Sequence, residues 1–171
     1  MRLFVAIPLN EELRDRVGIV QETFRRERVQ GNFTPRENLH ITLAFIGEYG
    51  NPAAVMDALE QVSFEPFTLR MDRTGRFGDL WWTGFNEAWQ LEALAGKVRR
   101  VLAEAGIPYD RKRFRPHVTI LRKPVYPEGR KIEEMGFGPA EMTVSEFCLM
   151  QSTRGKHGMI YTELGSITAR E

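Results

Sequence analysis

One pattern occurs twice in this sequence, first as His40-Ile41-Thr42-Leu43 and again as His117-Val118-Thr119-Ile120. Side chains alternate between the two faces of an extended strand. In each copy, the histidine and the threonine therefore share one face, and the two apolar side chains share the other. The pattern predicts two strands that bury their apolar faces and present an imidazole and a hydroxyl. We expect both copies to face one cleft.

The sequence has three histidines, and only His157 lacks a threonine two residues later. One histidine placed before a threonine is typical of a hydrogen-bonded ring at the edge of a sheet. Two such copies on strands of matching pattern favour a shared site instead. His157 lies between Gly155 and Gly158, a composition that predicts an exposed loop.

The paired pattern fits metal-free acid–base chemistry better than other kinds of active site. A catalytic zinc ion takes three protein ligands, and neither copy contains a carboxylate or a second histidine. The sequence has no G-x-S-x-G nucleophile motif and no glycine-rich phosphate loop after a strand. We therefore expect no metal site and no cofactor.

Two histidines without a metal ion suit the displacement of an oxygen at phosphorus. Their ordinary pKa of about 6.5 lets one ring be neutral while the other is protonated near neutral pH. In-line displacement uses a base on the attacking oxygen and an acid on the leaving oxygen, on opposite sides of phosphorus. The hydroxyls of Thr42 and Thr119 can donate to the non-bridging oxygens, whose charge grows in the transition state.

Length and composition indicate one globular domain of 171 residues, with 42% hydrophobic and 27% charged residues. Cys148 is the one cysteine, so an internal disulfide is excluded, and its apolar neighbours predict a buried, inert thiol. No segment approaches the roughly 18 apolar residues that span a membrane. The apolar run within residues 1–9 is too short for a signal peptide. We expect a cytoplasmic monomer without membrane contact.

Charge is concentrated beside the second copy of the pattern. The formal net charge of +1 argues against a protein that coats nucleic acid through its overall charge. Residues 111–123, in contrast, contain six lysines and arginines and no acidic residue. Because a guanidinium group matches the geometry of a phosphate, this cluster favours a phosphate-bearing ligand near His117.

Hydrophobic periodicity predicts the order strand, helix, strand, helix, hairpin, helix, strand, hairpin. Asn10, Asn51 and Asn86 stand where helix N-caps are expected, and residues 31–35 and 72–79 predict a loop and a hairpin turn. A third helix is predicted to bury a stripe of Trp89, Leu94, Val98, Val101 and Ala105. The sequence also predicts one helical turn within residues 132–135. A final hairpin is predicted from strands at 143–150 and 159–167. Hairpins mixed with helices predict an α+β fold with antiparallel sheets.

The residues around both copies resemble the 2H phosphoesterase superfamily, whose mark is two His-x-Thr-x motifs. The matching segments are Arg2–Pro8, Asn38–Gly47, Phe114–Arg122, Phe147–Ser152 and Tyr161–Leu164. Within that superfamily, the sequence is most similar to the RNA 2′,3′-cyclic phosphodiesterases, also called 2′-5′ RNA ligase-like proteins. The resemblance implies one bilobal domain over residues 1–171. Its α+β fold would have two antiparallel sheets, flanking helices and pseudo-twofold symmetry around a central cleft.

The resemblance also implies an enzyme that hydrolyses RNA 2′,3′-cyclic phosphate ends to 2′-phosphomonoesters without a metal ion. Its partner would be RNA with a 2′,3′-cyclic phosphate or 2′-phosphate end. His40 would be the proton donor to the leaving 3′ oxygen, and His117 the proton acceptor that activates water. Thr42, Thr119 and Arg122 would bind the phosphate. Strand alternation places Arg122 on the face opposite His117, so Arg122 reaches the phosphate only if the strand ends or bulges before it.

Other functions remain open at this point. A module that binds RNA ends with little turnover would depend more on the basic segment 111–123 than on the imidazoles. An enzyme that joins 2′-5′ RNA ends, or one that acts on a small cyclic nucleotide, would use the same two histidines.

Overall fold

The computed structural model describes residues 1–170, which form an α+β fold built on two antiparallel sheets, as the sequence predicts. The elements, in chain order, are β1 (Arg2–Pro8), α1 (Glu11–Arg26), β2 (Gln30–Phe33), a 3₁₀ turn (Arg36–Asn38), β3 (His40–Glu48), α2 (Pro52–Leu59), β4 (Phe67–Phe77), β5 (Leu80–Phe85), α3 (Trp89–Glu104), β6 (His117–Val125), β7 (Ala140–Val144), β8 (Glu146–Gly155) and β9 (Gly158–Thr168).

The two sheets repeat one strand arrangement. Sheet A has the order β3-β1-β8-β9, and sheet B has the order β2-β6-β5-β4-β7. Without β2, the orders correspond strand for strand, with β3 matching β6 and β1 matching β5. In sheet A, β3 begins with His40 and pairs with β1, the strand before α1. In sheet B, β6 begins with His117 and pairs with β5, the strand before α3. The two histidines therefore occupy equivalent positions in the two lobes, which is the pseudo-twofold relation expected of the fold.

Helices α1 and α3 each follow a strand of one sheet and pack on the other sheet. Helix α1 follows β1 of sheet A and contacts β2, β6 and β7 of sheet B. There, Phe24 packs against Trp81 in an edge-on arrangement with ring centroids 5.0 Å apart. Helix α3 follows β5 of sheet B and contacts β3 of sheet A. The buried side chains of both lobes form one hydrophobic cluster, which holds the two sheets in a fixed relation.

Two of the three predicted asparagine caps are confirmed. The Asn10 Oδ1 atom accepts a hydrogen bond from the Leu13 backbone N–H at 2.9 Å. The Asn51 Oδ1 atom accepts one from the Ala54 N–H at 3.1 Å. Within residues 1–170, no helix is both long enough and apolar enough to cross a membrane.

The third predicted cap, Asn86, is wrong. Helix α3 begins at Trp89, and Ala88 precedes it without a side-chain cap, because residues 86–88 are needed to turn the chain from β5 into the helix. The predicted stripe was also wrong at both ends, since Trp89 is 70% exposed and Ala105 is exposed and follows the last residue of the helix. The buried face of α3 consists of Leu91, Leu94, Ala95, Val98 and Leu102.

The predicted loop 31–35 and turn 72–79 were both wrong in part, because these segments carry few apolar residues. Residues 30–33 form the edge strand β2, in which pairing with β6 overrides the turn propensity of glycine and asparagine. Strand β4 continues to Phe77, so the turn consists of Gly78 and Asp79 alone. Gly78 has a φ of +58°, a conformation that glycine adopts without strain.

The C-terminal predictions need two corrections. The predicted strand 143–150 is two strands, β7 in sheet B and β8 in sheet A, because the chain crosses between the sheets at Ser145. Residues 132–135 form no helical turn. The Met135 carbonyl instead accepts a hydrogen bond from the Thr74 hydroxyl, which holds this segment against β4.

Candidate active site

A cleft of about 760 Å³ opens between the two sheets, and both copies of the sequence pattern line it. His40 and Thr42 enter it from β3, and His117 and Thr119 enter it from β6. Arg122 also lines the cleft. The remaining walls include Arg2 and Phe4 of β1, Phe45 of β3, and Thr153, Arg154, Met159 and Tyr161 of the β8–β9 hairpin. The structure thus brings all five sequence-predicted residues to one cavity.

His40 is held by hydrogen bonds at both ring nitrogens. Its Nδ1 lies 2.6 Å from the carbonyl oxygen of Asn38, and its Nε2 lies 2.9 Å from the Thr42 hydroxyl. Because a carbonyl oxygen only accepts, Nδ1 carries a proton, and Nε2 of the neutral ring accepts from Thr42. The rings of Phe4 and Tyr161 pack against the imidazole, with centroid distances of 5.1 and 5.2 Å. These contacts fix both the tautomer and the orientation of His40.

His117 is fixed by an equivalent bond in the other lobe. Its Nδ1 lies 2.5 Å from the carbonyl oxygen of Arg115, so Nδ1 is again the protonated nitrogen of the neutral ring. The Phe77 ring packs edge-on against the imidazole at 5.4 Å. Phe77 in turn packs on the ring of Trp82. The Trp82 indole lies directly against Gly84, where the Cβ of any larger residue would be 2.6 Å from the ring. In both lobes, Nε2 is the ring nitrogen that is not bonded to the backbone, and in His40 it bonds to the Thr42 hydroxyl.

Burial lowers the pKa of both imidazoles below the ordinary histidine value. For His40, burial is the main cause, and the nearby positive charges of His117 and Arg122 add to it, while the bond to Asn38 opposes it. For His117, burial is again the main cause of the lowered pKa, and the positive charges of Arg122 and Arg115 lower it further. The hydrogen bond to the Arg115 carbonyl raises the pKa and opposes these effects.

A β-bulge turns Arg122 into the cleft. In the pairing of β6 with β5, Trp82 lies opposite Thr119 and Trp81 lies opposite Leu121, so Ile120 has no partner. Ile120 and Leu121 are both buried. The extra residue reverses the alternation, and Arg122 returns to the face that carries His117 and Thr119.

Strand β3 has the same irregularity at the matching place. Ala6 of β1 lies opposite Thr42 and Val5 lies opposite Ala44, so Leu43 is the unpaired residue. The residue five positions after the first histidine, Phe45, therefore also lines the cleft. The two lobes thus present different groups at equivalent positions, an arginine in sheet B and an aromatic ring in sheet A.

A buried glutamine of α1 supports the bulge in β6. Gln21 is 6% exposed, and its Nε2 donates to the carbonyl oxygens of Ile120 at 3.0 Å and Thr34 at 2.9 Å. The Thr34 backbone N–H also donates to the Ile120 carbonyl, at 3.1 Å. Gln21 thus gives the Thr34 carbonyl a donor and the Ile120 carbonyl a second donor, at the place where the strand pairing is irregular.

Replacing Gln21 with leucine is expected to lower the free energy of unfolding by about 2 kcal/mol, because the buried Ile120 carbonyl and the part-buried Thr34 carbonyl each lose a donor. Urea denaturation of Gln21→Leu against the wild type measures the loss. Glu22→Leu is the matched control, since Glu22 is the neighbouring exposed residue of the same helix. A Gln21→Leu protein as stable as the control would show that Gln21 does not support the bulge.

The cleft presents excess positive charge. Arg2, Arg122 and Arg154 line it, and none of them has a carboxylate partner within the described residues. The one acidic residue of the lining, Glu48, is bridged at 3.2 Å to the terminal amino group of Met1. A concave surface with unpaired arginines attracts an anion, and its guanidinium groups suit phosphate oxygens.

Outside the cleft, the one thiol is not a reactive nucleophile, and residues 1–170 contain no metal-type cluster. Cys148 is fully buried, as predicted, and its thiol donates to a Glu163 carboxylate oxygen at 3.0 Å. Burial, followed by the adjacent Glu163, raises the pKa of that thiol, which makes it a poor nucleophile. Among residues 1–170, no three histidine, cysteine or carboxylate side chains converge as they would around a metal ion. A smaller cavity of about 350 Å³ beside Trp89 contains no histidine.

Sequence reasoning missed several residues that shape the cleft. Gln21 could have been found, because it is a polar residue within the apolar stripe of α1. The other omissions, Phe4, Phe45 and Tyr161, look like ordinary core or strand residues in the sequence. Phe4 and Tyr161 reach His40, and Phe45 reaches the cleft, only through the pairing of strands that are distant in the chain.

The sequence matches a family model over most of its length. The model of the 2′-5′ RNA ligase superfamily covers residues 11–156. The chain is 36% identical to the RNA 2′,3′-cyclic phosphodiesterase of Archaeoglobus fulgidus, in a match that covers 96% of this chain and 98% of that protein. It is 30% identical to the Escherichia coli K12 protein of the same name, with 95% and 93% covered.

Solved structures give the same result for the fold. The crystal structure of Escherichia coli LigT complexed with 3′-AMP matches with a TM-score of 0.82 and 28% identity. The match covers 99% of this chain and 98% of the LigT chain. Together with the two sheets described above, it confirms the bilobal α+β fold class.

Proposed function

Because the chain belongs to the 2′-5′ RNA ligase superfamily, we propose that it hydrolyses RNA 2′,3′-cyclic phosphate ends to 2′-phosphomonoesters without a metal ion. The observation that carries the proposal is the pair of imidazoles in one positively charged cleft, each with Nδ1 bound to a backbone carbonyl. This arrangement leaves two Nε2 atoms for proton transfer at a single phosphate. The substrate is RNA, and the enzyme is a cytoplasmic monomer that forms one bilobal domain.

Hydrolysis proceeds by in-line attack of water on the cyclic phosphate. His117 Nε2 takes a proton from water as the new phosphorus–oxygen bond forms. His40, protonated on Nε2, gives that proton to the 3′ oxygen as the phosphorus–3′ oxygen bond breaks. The products are a free 3′ hydroxyl and a 2′-phosphomonoester, so one water molecule is added and no other reactant is needed. Proton exchange with solvent restores both rings.

The remaining cleft residues bind the phosphate. Thr42 and Thr119 lie on the same faces as the two histidines. When His40 is protonated, the Thr42 hydroxyl no longer donates to Nε2, so both threonine hydroxyls can donate to the two non-bridging oxygens. Arg122 supplies a full positive charge on the side of His117, where the attacking oxygen becomes attached. Fixed donors of this kind stabilise the charge that develops on the phosphate oxygens without reorganising during the reaction.

The direct test is hydrolysis of a short RNA that ends in a 2′,3′-cyclic phosphate, in buffer containing EDTA. We expect complete conversion to the 2′-phosphomonoester, identified by its phosphorus NMR signal. A matched RNA with a 3′-phosphate should remain unchanged. Activity that requires an added divalent ion would overturn the metal-independent mechanism. Tight, salt-sensitive binding of the RNA without any product would favour an RNA-end binding module instead.

The pH dependence follows from the lowered pKa values of both histidines. The free enzyme needs His117 neutral and His40 protonated, and His40 loses its proton below the ordinary value of about pH 6.5. We therefore expect a bell-shaped profile of kcat/KM with its maximum on the acidic side of about pH 6.5. The bound phosphate anion stabilises the protonated ring, so the basic limb of kcat should lie at higher pH than that of kcat/KM. A flat kcat/KM profile from about pH 5 to 9 would contradict this assignment.

A further inference from the structure

Asn38 is a buried polar residue in the loop immediately before β3. It is 6% exposed, and it stands two residues before His40. Its carbonyl oxygen is the group that accepts the bond from His40 Nδ1, at 2.6 Å. Its backbone N–H donates to the Pro35 carbonyl at 2.9 Å, which closes the 3₁₀ turn. The backbone of Asn38 therefore sets the tautomer of His40.

The side chain of Asn38 links that loop to a distant part of the chain. Its Nδ2 donates to the Met159 carbonyl oxygen at 2.9 Å, across 121 residues of sequence. Met159 lies near the start of β9, in the hairpin that also brings Thr153 and Arg154 to the cleft. One side chain thus connects the loop before His40 with the β8–β9 hairpin, which lines the same cavity.

The other lobe holds its histidine in a different way. Arg115 occupies the position two residues before His117, and its carbonyl oxygen accepts the Nδ1 bond. The Arg115 side chain is exposed and lies over the Phe77 ring, with its guanidinium carbon 5.0 Å from the ring centroid. Asn38 is the buried member of the pair, and its amide nitrogen is hydrogen-bonded within the protein.

We propose that Asn38 is a positioning residue for this reaction: its side chain anchors the carbonyl that keeps Nδ1 of His40 protonated and Nε2 directed at the cleft. The inference rests on the proposed function, because it assigns Asn38 a role in proton transfer by His40. Without the anchor to Met159, the Asn38 carbonyl is free to tilt away from the ring. Nε2 then becomes a competing site for the single proton of the neutral imidazole, and the ring loses its alignment with the leaving oxygen.

The test compares Asn38→Ala and Asn38→Asp with the wild type. Aspartate has nearly the same shape as asparagine but has no amide donor for the Met159 carbonyl. We expect kcat to fall by about 10-fold to 100-fold in both variants while KM changes by less than about 3-fold, because alignment is lost and phosphate binding is kept. Asn51→Ala is the matched control, since Asn51 is also an asparagine in a hydrogen-bonded turn but caps α2 and does not line the cleft. That control should lower Tm and leave kcat unchanged.

A second measurement reports on the ring itself. Nitrogen-15 NMR of the folded wild type at neutral pH should show His40 as the Nδ1-protonated tautomer, and both Asn38 variants should show a mixture of tautomers. Unchanged kcat or an unchanged His40 tautomer in the variants would overturn the inference. A wild type without hydrolytic turnover would overturn the proposed function, while the nitrogen spectra would still show whether Asn38 sets the tautomer.

Discussion

Alanine in place of either His40 or His117 is expected to lower kcat on an RNA 2′,3′-cyclic phosphate by about 10³-fold. General acid and general base catalysis each contribute about 10²-fold to 10⁴-fold, and each histidine is assigned one of these roles. KM should change little, because the threonine hydroxyls and Arg122 still bind the phosphate. The double variant should be only slightly slower than either single variant, since the two rings act on the same bond-making and bond-breaking step. Steady-state kinetics in EDTA measures all three.

His157→Ala is the control for these variants. His157 is the third histidine of the chain, and it is exposed at the turn of the β8–β9 hairpin. Its removal deletes an imidazole without touching the cleft, so kcat should remain at the wild-type value. Equal losses in His157→Ala and His40→Ala would mean that the assay responds to a general loss of structure rather than to proton transfer.

The second large effect is expected at Arg122. Arg122→Ala should lower kcat by about 10²-fold, because it removes a charged donor aimed at the developing charge on the phosphate. Arg122→Lys should recover only part of this loss, since an ammonium group lacks the planar pair of donors that a guanidinium presents to phosphate oxygens. Kinetics of both variants on the same RNA gives the comparison.

Arg113→Ala provides the matched control for charge. Arg113 belongs to the same basic segment and is exposed, but it does not line the cleft. Its loss should weaken RNA binding slightly and leave kcat unchanged. If Arg113→Ala and Arg122→Ala lowered kcat equally, the basic segment would act through its total positive charge. The bulge that turns Arg122 toward the cleft would then have no specific role in the reaction.

The sequence was sufficient to predict the fold class and the two strands that carry the site. In β3 and β6, the alternation of polar and apolar residues over the first four positions is clear, and both strands bury the predicted side. Asn10 and Asn51 marked two helix starts because each sits directly before an amphipathic segment. Asn86 failed because a local cap signal carries no information on the length of the connection from β5.

The family resemblance assigned Arg122 to the phosphate on condition of a bulge, but the sequence pattern itself could not show that the bulge exists. Strand alternation alone places Arg122 on the wrong face, and only the extra residue at Ile120 corrects this. That bulge depends on Gln21, which reaches it from a helix 99 residues away in the chain. Strand β2 was not predicted for a related reason. It is a short polar segment, and it forms a strand only because it pairs with the edge of β6.

The central claim is that the two imidazoles act on one phosphate, and proton NMR of the histidine rings during titration with adenosine 2′-phosphate tests it most directly. Selective alanine variants assign the Cε1–H signals of His40 and His117. We predict that both signals shift along one binding curve, with one equivalent of ligand per chain and a single Kd. The pKa of both rings should rise in the complex, because the bound anion stabilises both protonated forms. A response of only one ring, or two separate binding curves, would contradict the account.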